Sequence, residues 1–364
     1  MKRDLPPQAP RLLLHGFDTI QCCYFLTPST GVGIDTVRLG ADRERLRHAG
    51  AEESSPVTLG NRQFLLASHG SRSGYPFVLS DADYRIEFGP NNNPPFFVTF
   101  RSEAIWRDSV QRLHQTFLDW AASMGYWPYK PESMTRVDFC FDYDLPQVDF
   151  NEDDFVTLSS KDAQHREDGQ VQTFTFGKSD VVLRVYDKVV EIAQQSGKVW
   201  LYELWGQQEG VWRIEWQVRK DVLRRFGIRS FADLKSGLKP LLHYLATEHD
   251  TLRVQSRDSN RARRALHPLW VDLVRRIEEM DELPGAQAFD PTVVLHHRMM
   301  RMAISVYGYM KRIGAIRCVQ TEKDSIKFED ALRTLEGHLR YIHNPLVWRI
   351  DVEKRVTAMR LGEW

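Results

Sequence analysis

Cysteine is scarce in this chain: four in 364 residues, with Cys22 and Cys23 adjacent. That spacing gives neither a disulfide framework nor a zinc pattern, so these residues read as reduced core cysteines. Cys140 differs, lying between acids on a polar strand face, where a small lining role suits it because thiolates pair poorly with hard cations. No apolar run approaches the roughly 20 residues that span a bilayer, and the opening Met1–Pro7 has no signal-peptide core. A cytoplasmic location without a membrane partner is therefore expected. Neither sign of charge is in excess: 49 Lys and Arg balance 49 Asp and Glu.

Neutrality argues against nucleic acid as a partner, because such footprints are usually basic, unless the positive charge is segregated. It is segregated locally. Arg253, Arg257, Arg261, Arg263 and Arg264 face a single acid, Asp258, in that stretch. Lys220, Arg224 and Arg225 form a second cluster, and Arg298, Arg301, Lys311, Arg312 and Arg317 a third. The acids gather elsewhere, at Glu152–Asp154 and Glu278–Glu282.

Three strand-like segments carry the chemistry. In Thr135–Asp144, strict alternation puts Val137, Phe139, Phe141 and Tyr143 on one face and Arg136, Asp138, Cys140, Asp142 and Asp144 on the other. In Val211–Arg219, Trp212, Ile214, Trp216 and Val218 bury while Arg213, Glu215, Gln217 and Arg219 project together. In Val181–Lys188, Tyr186 stands between Arg184 and Lys188 on one face. Neighbouring cations favour phenolate, the nucleophilic form of tyrosine, and would hold a phosphate against it. If the three strands are neighbours, Asp138, Asp142 and Glu215 are placed to share one Mg2+ or Mn2+. Such a set suits phosphoryl transfer: Tyr186 attacks a DNA phosphodiester while Lys188 and Arg213 stabilise the anionic transition state.

At these residues the chain resembles the replication initiation factor family. The resemblance rests on Arg-Val-Asp-Phe-x-Phe-Asp (136–142), Leu-Arg-Val-Tyr-Asp-Lys-x-x-Glu (183–191) and Trp-Arg-Ile-Glu-Trp-Gln-Val-Arg (212–219), within about residues 75 to 226. That family comprises rolling-circle plasmid and phage initiators and relaxases of some conjugative elements. The resemblance implies a metal-dependent DNA strand nickase with Tyr186 as nucleophile and Asp187, Asp138, Asp142 and Glu215 as metal ligands. Strict alternation points Asp187 away from Tyr186, so it reaches a metal only if the strand turns there into a helix. The sequence lacks the His–hydrophobic–His pair of the larger nickase superfamily, which leaves the carboxylate-using branch.

The order of elements predicts an α+β fold: an antiparallel-sheet nickase domain (1–227) with helices on one face, then an all-helical domain (228–364) for DNA contact or dimerisation. One helix is expected over 103–124, others from Phe231, Pro268, Asp290 and Phe328. A repeated helix-then-strand order raises the question of an internal duplication. Met299, Met300, Met302 and Met310 read as core packing. The expected partner is DNA, at an origin, as duplex and nicked strand, through Arg184, Arg219, Arg261, Arg263 and Arg264; a host helicase and a second copy of the chain are further candidates. A metal-dependent nuclease using water, and a non-catalytic origin-binding regulator, are the alternatives. A tyrosine recombinase is remoter, since His338-Leu339-Arg340-Tyr341 stands without the series of separated Arg and His positions it requires.

Overall fold

The computed structural model describes residues 9–49, 54–159, 162–167 and 170–363, so the opening Met1–Pro7 lies outside the described residues. Strand β1 (Arg11–Pro28) is followed by α1 (Thr36–Ala49) and a meander of β2 (Ser54–Leu59), β3 (Arg62–Ala67), β4 (Phe77–Ser80), β5 (Tyr84–Phe88) and β6 (Phe96–Phe100). Helices α2 (Ser102–Asp108) and α3 (Val110–Ser123) lead to β7 (Tyr126–Asp144). Next come β8 (Phe155–Thr157), β9 (Asp162–Glu167), β10 (Gln170–Phe176) and β11 (Val181–Asp187). Helices α4 (Lys188–Glu191) and α5 (Leu201–Trp205) flank a π-helical turn at Ile192–Ser196 and precede β12 (Val211–Arg219). The remainder is α6 (Lys220–Arg225), α7 (Leu234–Tyr244), β13 (Asp250–Leu252), α8 (Pro268–Glu278), α9 (Pro291–Thr321), α10 (Phe328–Ile342) and α11 (Pro345–Arg360).

Eleven strands form one antiparallel sheet in the order β2-β3-β4-β5-β6-β1-β7-β12-β11-β10-β9. Its two halves share a topology. In each, the long first strand (β1 or β7) pairs with the last strand of its own half (β6 or β12), and the earlier strands step outward. The halves meet where β1 pairs with β7, with Ile20 opposite Val137. The repeat is one of topology, and it answers the order of elements noticed in the sequence.

Alternation divides the sheet into a core face and a site face. Phe139, Phe141, Ile214, Trp216, Leu183 and Val185 join one buried cluster with helix residues Leu113, Phe117, Leu238, Leu242, Trp270 and Leu273. On the other face Cys140 and Val211 pack with Trp106, Trp200 and Leu201. Helices therefore cover both faces: the main layer is α3 and α6–α8, and a smaller one is α2, α4 and α5. The helix expected over 103–124 is two, because Ser109 takes φ 72° and its hydroxyl accepts from the Arg112 N–H to start α3.

The core runs past the boundary expected at residue 227. Leu234, Leu238, Leu241, Trp270 and Ile277 are part of the sheet's own cluster, with Trp270 edge-on to Trp216 at 5.8 Å. An apolar sheet face this wide needs helices from beyond β12 to close it, and α7 and α8 do so. At the C-terminal end, α9–α11 lie outside that core and carry few buried side chains. There the methionine expectation is corrected: Met310 is buried, but Met299, Met300 and Met302 are exposed, and Met300 and Met302 line an open cleft between α9 and the segment around Ala193 and Tyr202 instead of a packed core. Among the described residues no helix is long and apolar enough to cross a membrane.

If α7–α8 and the sheet share one core, Trp270→Ala should cost about 3–5 kcal/mol. It should do so in a single transition common to both. Urea unfolding followed by tryptophan fluorescence and far-ultraviolet circular dichroism checks this; a separate early helical transition would contradict it.

Candidate active site

Register brings the three motif strands side by side in the order β7-β12-β11. Tyr186 lies opposite Arg213, which lies opposite Asp142; Arg184, Glu215 and Cys140 form the next row. Gln217 pairs with Asp138 in the row after that. All project from the site face, so the alternation read in the sequence puts these side chains together. A cleft of about 440 Å3 opens over them, lined by Asp18, Asp138, Arg184, Tyr186, Lys188 and Lys198 among others.

Tyr186 is buried, and its hydroxyl donates to Glu215 Oε2 at 2.8 Å. Lys188 Nζ donates to the Tyr186 hydroxyl oxygen at 3.4 Å and ion-pairs with Glu191 at 2.6 Å. Burial, and then the Glu215 carboxylate, push the Tyr186 phenol well above its ordinary value, and Arg213 opposes this without reversing it. The expected bias toward phenolate is thus corrected: desolvation outweighs the flanking cations. The resting group is a neutral phenol whose proton points at a carboxylate. Burial, followed by Arg213 and Lys198, pulls the Lys188 ammonium below its usual value.

Arg213 is wholly buried beneath this cleft. Its Nε and Nη2 donate to Asp142 at 2.7 and 2.9 Å, and its Nη1 donates to Asp18 at 2.6 Å. The indole of Trp205 donates to Asp142 Oδ2 at 2.8 Å. Asp18 also accepts from Lys198 Nζ at 2.7 Å and from the Ser102 hydroxyl at 3.1 Å. Burial opposes the ionisation of Asp18, but Lys198, Arg213 and Lys188 together hold its carboxyl well below the usual range. Arg213 therefore orients carboxylates under the floor rather than facing the cleft.

The four carboxylates expected as metal ligands are each otherwise engaged. Asp142 is saturated by Arg213 and Trp205. Asp138 is paired with Arg136. Glu215 accepts from Tyr186 and, at 3.2 Å, from Arg184. Asp187 does turn into a helix, as its position required, but there it caps α4, accepting from the Val189 and Val190 N–H groups at 3.0 Å each. Among the described residues no group of three or more His, Cys, Asp or Glu side chains could hold a metal ion. As they stand, these side chains do not fit a hard divalent cation.

Of the arginines expected to meet DNA, Arg184 reaches the cleft and donates to Glu215 and Gln217. Arg219 is exposed at the far end of β12, opposite Arg136. Arg261, Arg263 and Arg264 lie elsewhere, in the segment between β13 and α8, Arg261 and Arg263 exposed and Arg264 half-buried, and none of them lines the cleft. Asp18 and Lys198 escaped the sequence reading. Asp18 carried one signal, a carboxylate inside the otherwise apolar strand His15–Leu26. A bulge between Phe17 and Thr19 turns it to the site face. Lys198 follows Gly197 in a turn and carried none.

No protein-family model matches the chain, and no curated protein matches it. One similar solved structure is a rolling circle replication initiator protein from Geobacillus stearothermophilus, at 16% identity and TM-score 0.46, covering 75% of this chain and 99% of that one.

Burial raises the Asp138 carboxyl to about 6 despite Arg136. The folded state therefore holds a proton there that the unfolded state releases near pH 4. This group's contribution is stabilising below about pH 4 and is lost as pH rises through about 6. Asp138→Asn should remove that slope, measured as urea midpoints from pH 4 to 7; identical slopes in both proteins would refute the assignment.

Proposed function

We propose that the chain is a DNA strand-nicking and -joining enzyme, a replication initiator or relaxase that starts rolling-circle replication or transfer, with Tyr186 as its nucleophile. One observation carries this reading: a buried tyrosine hydroxyl within hydrogen-bond reach of a carboxylate on one side and an ammonium on the other, at the wall of an open cleft. A nucleophile in contact with a base is the recurrent requirement for covalent catalysis. The motif resemblance to replication initiators supports the choice of a phosphodiester as substrate.

In the proposed step, Tyr186 Oη attacks the phosphorus of one DNA strand while its proton passes to Glu215 Oε2. The bond from phosphorus to O3′ breaks, and O3′ leaves with a proton from solvent as a free 3′-hydroxyl. The strand's 5′-phosphate stays joined to Tyr186. Lys188 steadies negative charge on the tyrosine oxygen, and Arg184 neutralises the phosphate at the cleft's edge. Arg213 is a positioning residue: it fixes Asp142 and Asp18, and its field acts on Tyr186 from below. Joining is the same path reversed, with the 3′-hydroxyl as nucleophile and the phenol as leaving group.

Covalent capture tests the reading. Wild type, Tyr186→Phe and Glu215→Gln would be incubated with supercoiled DNA of the source element, with and without Mg2+ or Mn2+, then denatured and probed for protein-linked DNA. The wild type should give the adduct and Tyr186→Phe none. Glu215→Gln should slow its formation by about 10²–10⁴-fold, the range for loss of a general base. Nicking without an adduct would point to a nuclease using water, and binding with neither to a regulator; either would overturn the proposal.

A further inference from the structure

A second cleft of about 460 Å3 adjoins the first and shares Lys198 with it. Its charged lining is lopsided: Arg101, Arg107, Lys198, Arg298 and Arg360 against Glu103 alone. Carboxylates behind the lining answer part of this charge, since Arg107 pairs with Asp83 and Asp108 and Lys198 with Asp18, while Arg101 and Arg360 have no carboxylate partner among the described residues. The cations come from elements far apart in sequence. Arg101 and Arg107 bracket α2, Lys198 sits in the turn after the π-helical segment, Arg298 lies near the start of α9 and Arg360 ends α11.

These walls are fixed rather than accidental. Arg101 donates to the Gly362 carbonyl at 2.9 Å, docking the end of α11 beside α2. Arg298 pairs with Glu103 at 2.7 Å, which occupies the one acid of the lining. Arg301 of α9 donates to the Ala193 carbonyl at 3.0 Å, and a Cβ on Gly197 would come within 2.5 Å of its guanidinium. The C-terminal helices therefore press on the turn that presents Lys198. Arg360 is exposed and pairs with no carboxylate among the described residues.

We infer that this basic cleft holds the phosphodiester backbone of the DNA single strand next to the nicked position, so that α9 and α11 form one wall of the strand's path. The inference rests on the strand-nicking reading of the Tyr186 cleft. Lys198 is the link, since its ammonium borders both clefts while Asp18 anchors it. Spaced cations along a groove are what a single strand's backbone requires, and each phosphate contact adds about 0.7 to the salt slope of binding.

The test is fluorescence anisotropy of a labelled oligothymidylate against salt concentration, run beside the Tyr186 capture assay. Arg360→Ala should reduce the slope of log affinity against log salt by about 0.7. Arg340→Ala should leave it unchanged, since that residue lies on exposed α10 in a pair with Glu336. An unchanged slope in Arg360→Ala, or no binding of the oligonucleotide by wild type, would overturn the inference. If wild type forms the Tyr186 adduct while Arg360→Ala keeps the full slope, only the strand path falls. If Arg360→Ala lowers the slope but no adduct ever forms, the path stands and the nickase reading falls.

Discussion

A guanidinium taken entirely out of water must be repaid with charge and hydrogen bonds, or it destabilises the fold by several kcal/mol. Arg213 meets that condition with two carboxylates from two other strands: Asp142 of β7 on two nitrogens and Asp18 of β1 on the third. Burial would pull its proton affinity down; Asp142 and its neighbours hold it up. The contact fixes three adjacent strands at the level of Tyr186. It also sets the sign of everything above it, because Asp18, so anchored, is free to take Lys198, and Lys198 separates two clefts. Each charge in the row is tolerable only because the next is present.

The same buried row explains the state of the tyrosine. Cations beside a phenol favour phenolate in water, but here Arg213 is largely spent on Asp142 and Asp18, and Lys188 on Glu191. What remains for Tyr186 is burial and a facing carboxylate, both of which keep the proton on oxygen. A phenol in that condition is inert until the proton has somewhere to go and the oxygen somewhere to bond. Glu215, already hydrogen-bonded to the hydroxyl, is the nearest acceptor for that proton.

The alternation of Arg136–Asp144, Val181–Asp187 and Val211–Arg219 was legible in the sequence because a strand with one apolar face leaves a period of two that nothing else mimics. It identified the face of each polar residue, while the neighbouring of the strands and their register came only with the fold. It could not say which carboxylate each cation would choose. Asp142, read as a metal ligand, is claimed by Arg213 one strand away, a pairing set by register rather than by spacing along the chain. Asp187 was ambiguous for a local reason: the strand ends on it, and its oxygen takes the first free N–H groups of α4. The boundary at 227 followed a change from strand to helix pattern, but pattern does not tell whether a helix closes an existing core or starts another. Trp270 and Leu273, on α8, belong to the first kind. Met299, Met300 and Met302 of α9 show the converse, apolar residues that the fold leaves exposed.

The two meanders joined through β1 and β7 are alike in topology and unlike in content. The half that follows β7 bears Tyr186, Glu215 and Arg213. The half that begins at β1 supplies Asp18, together with Ser102 beyond its last strand. The parts are thus divided as they are between two specialised subunits of an assembly, but with both written into a single polypeptide. Such a division is self-locking. Once Arg213 leans on Asp18, the half that begins at β1 can no longer be replaced by a second copy of the half that follows β7, and the symmetry that the strand order still displays cannot be regained by exchanging parts.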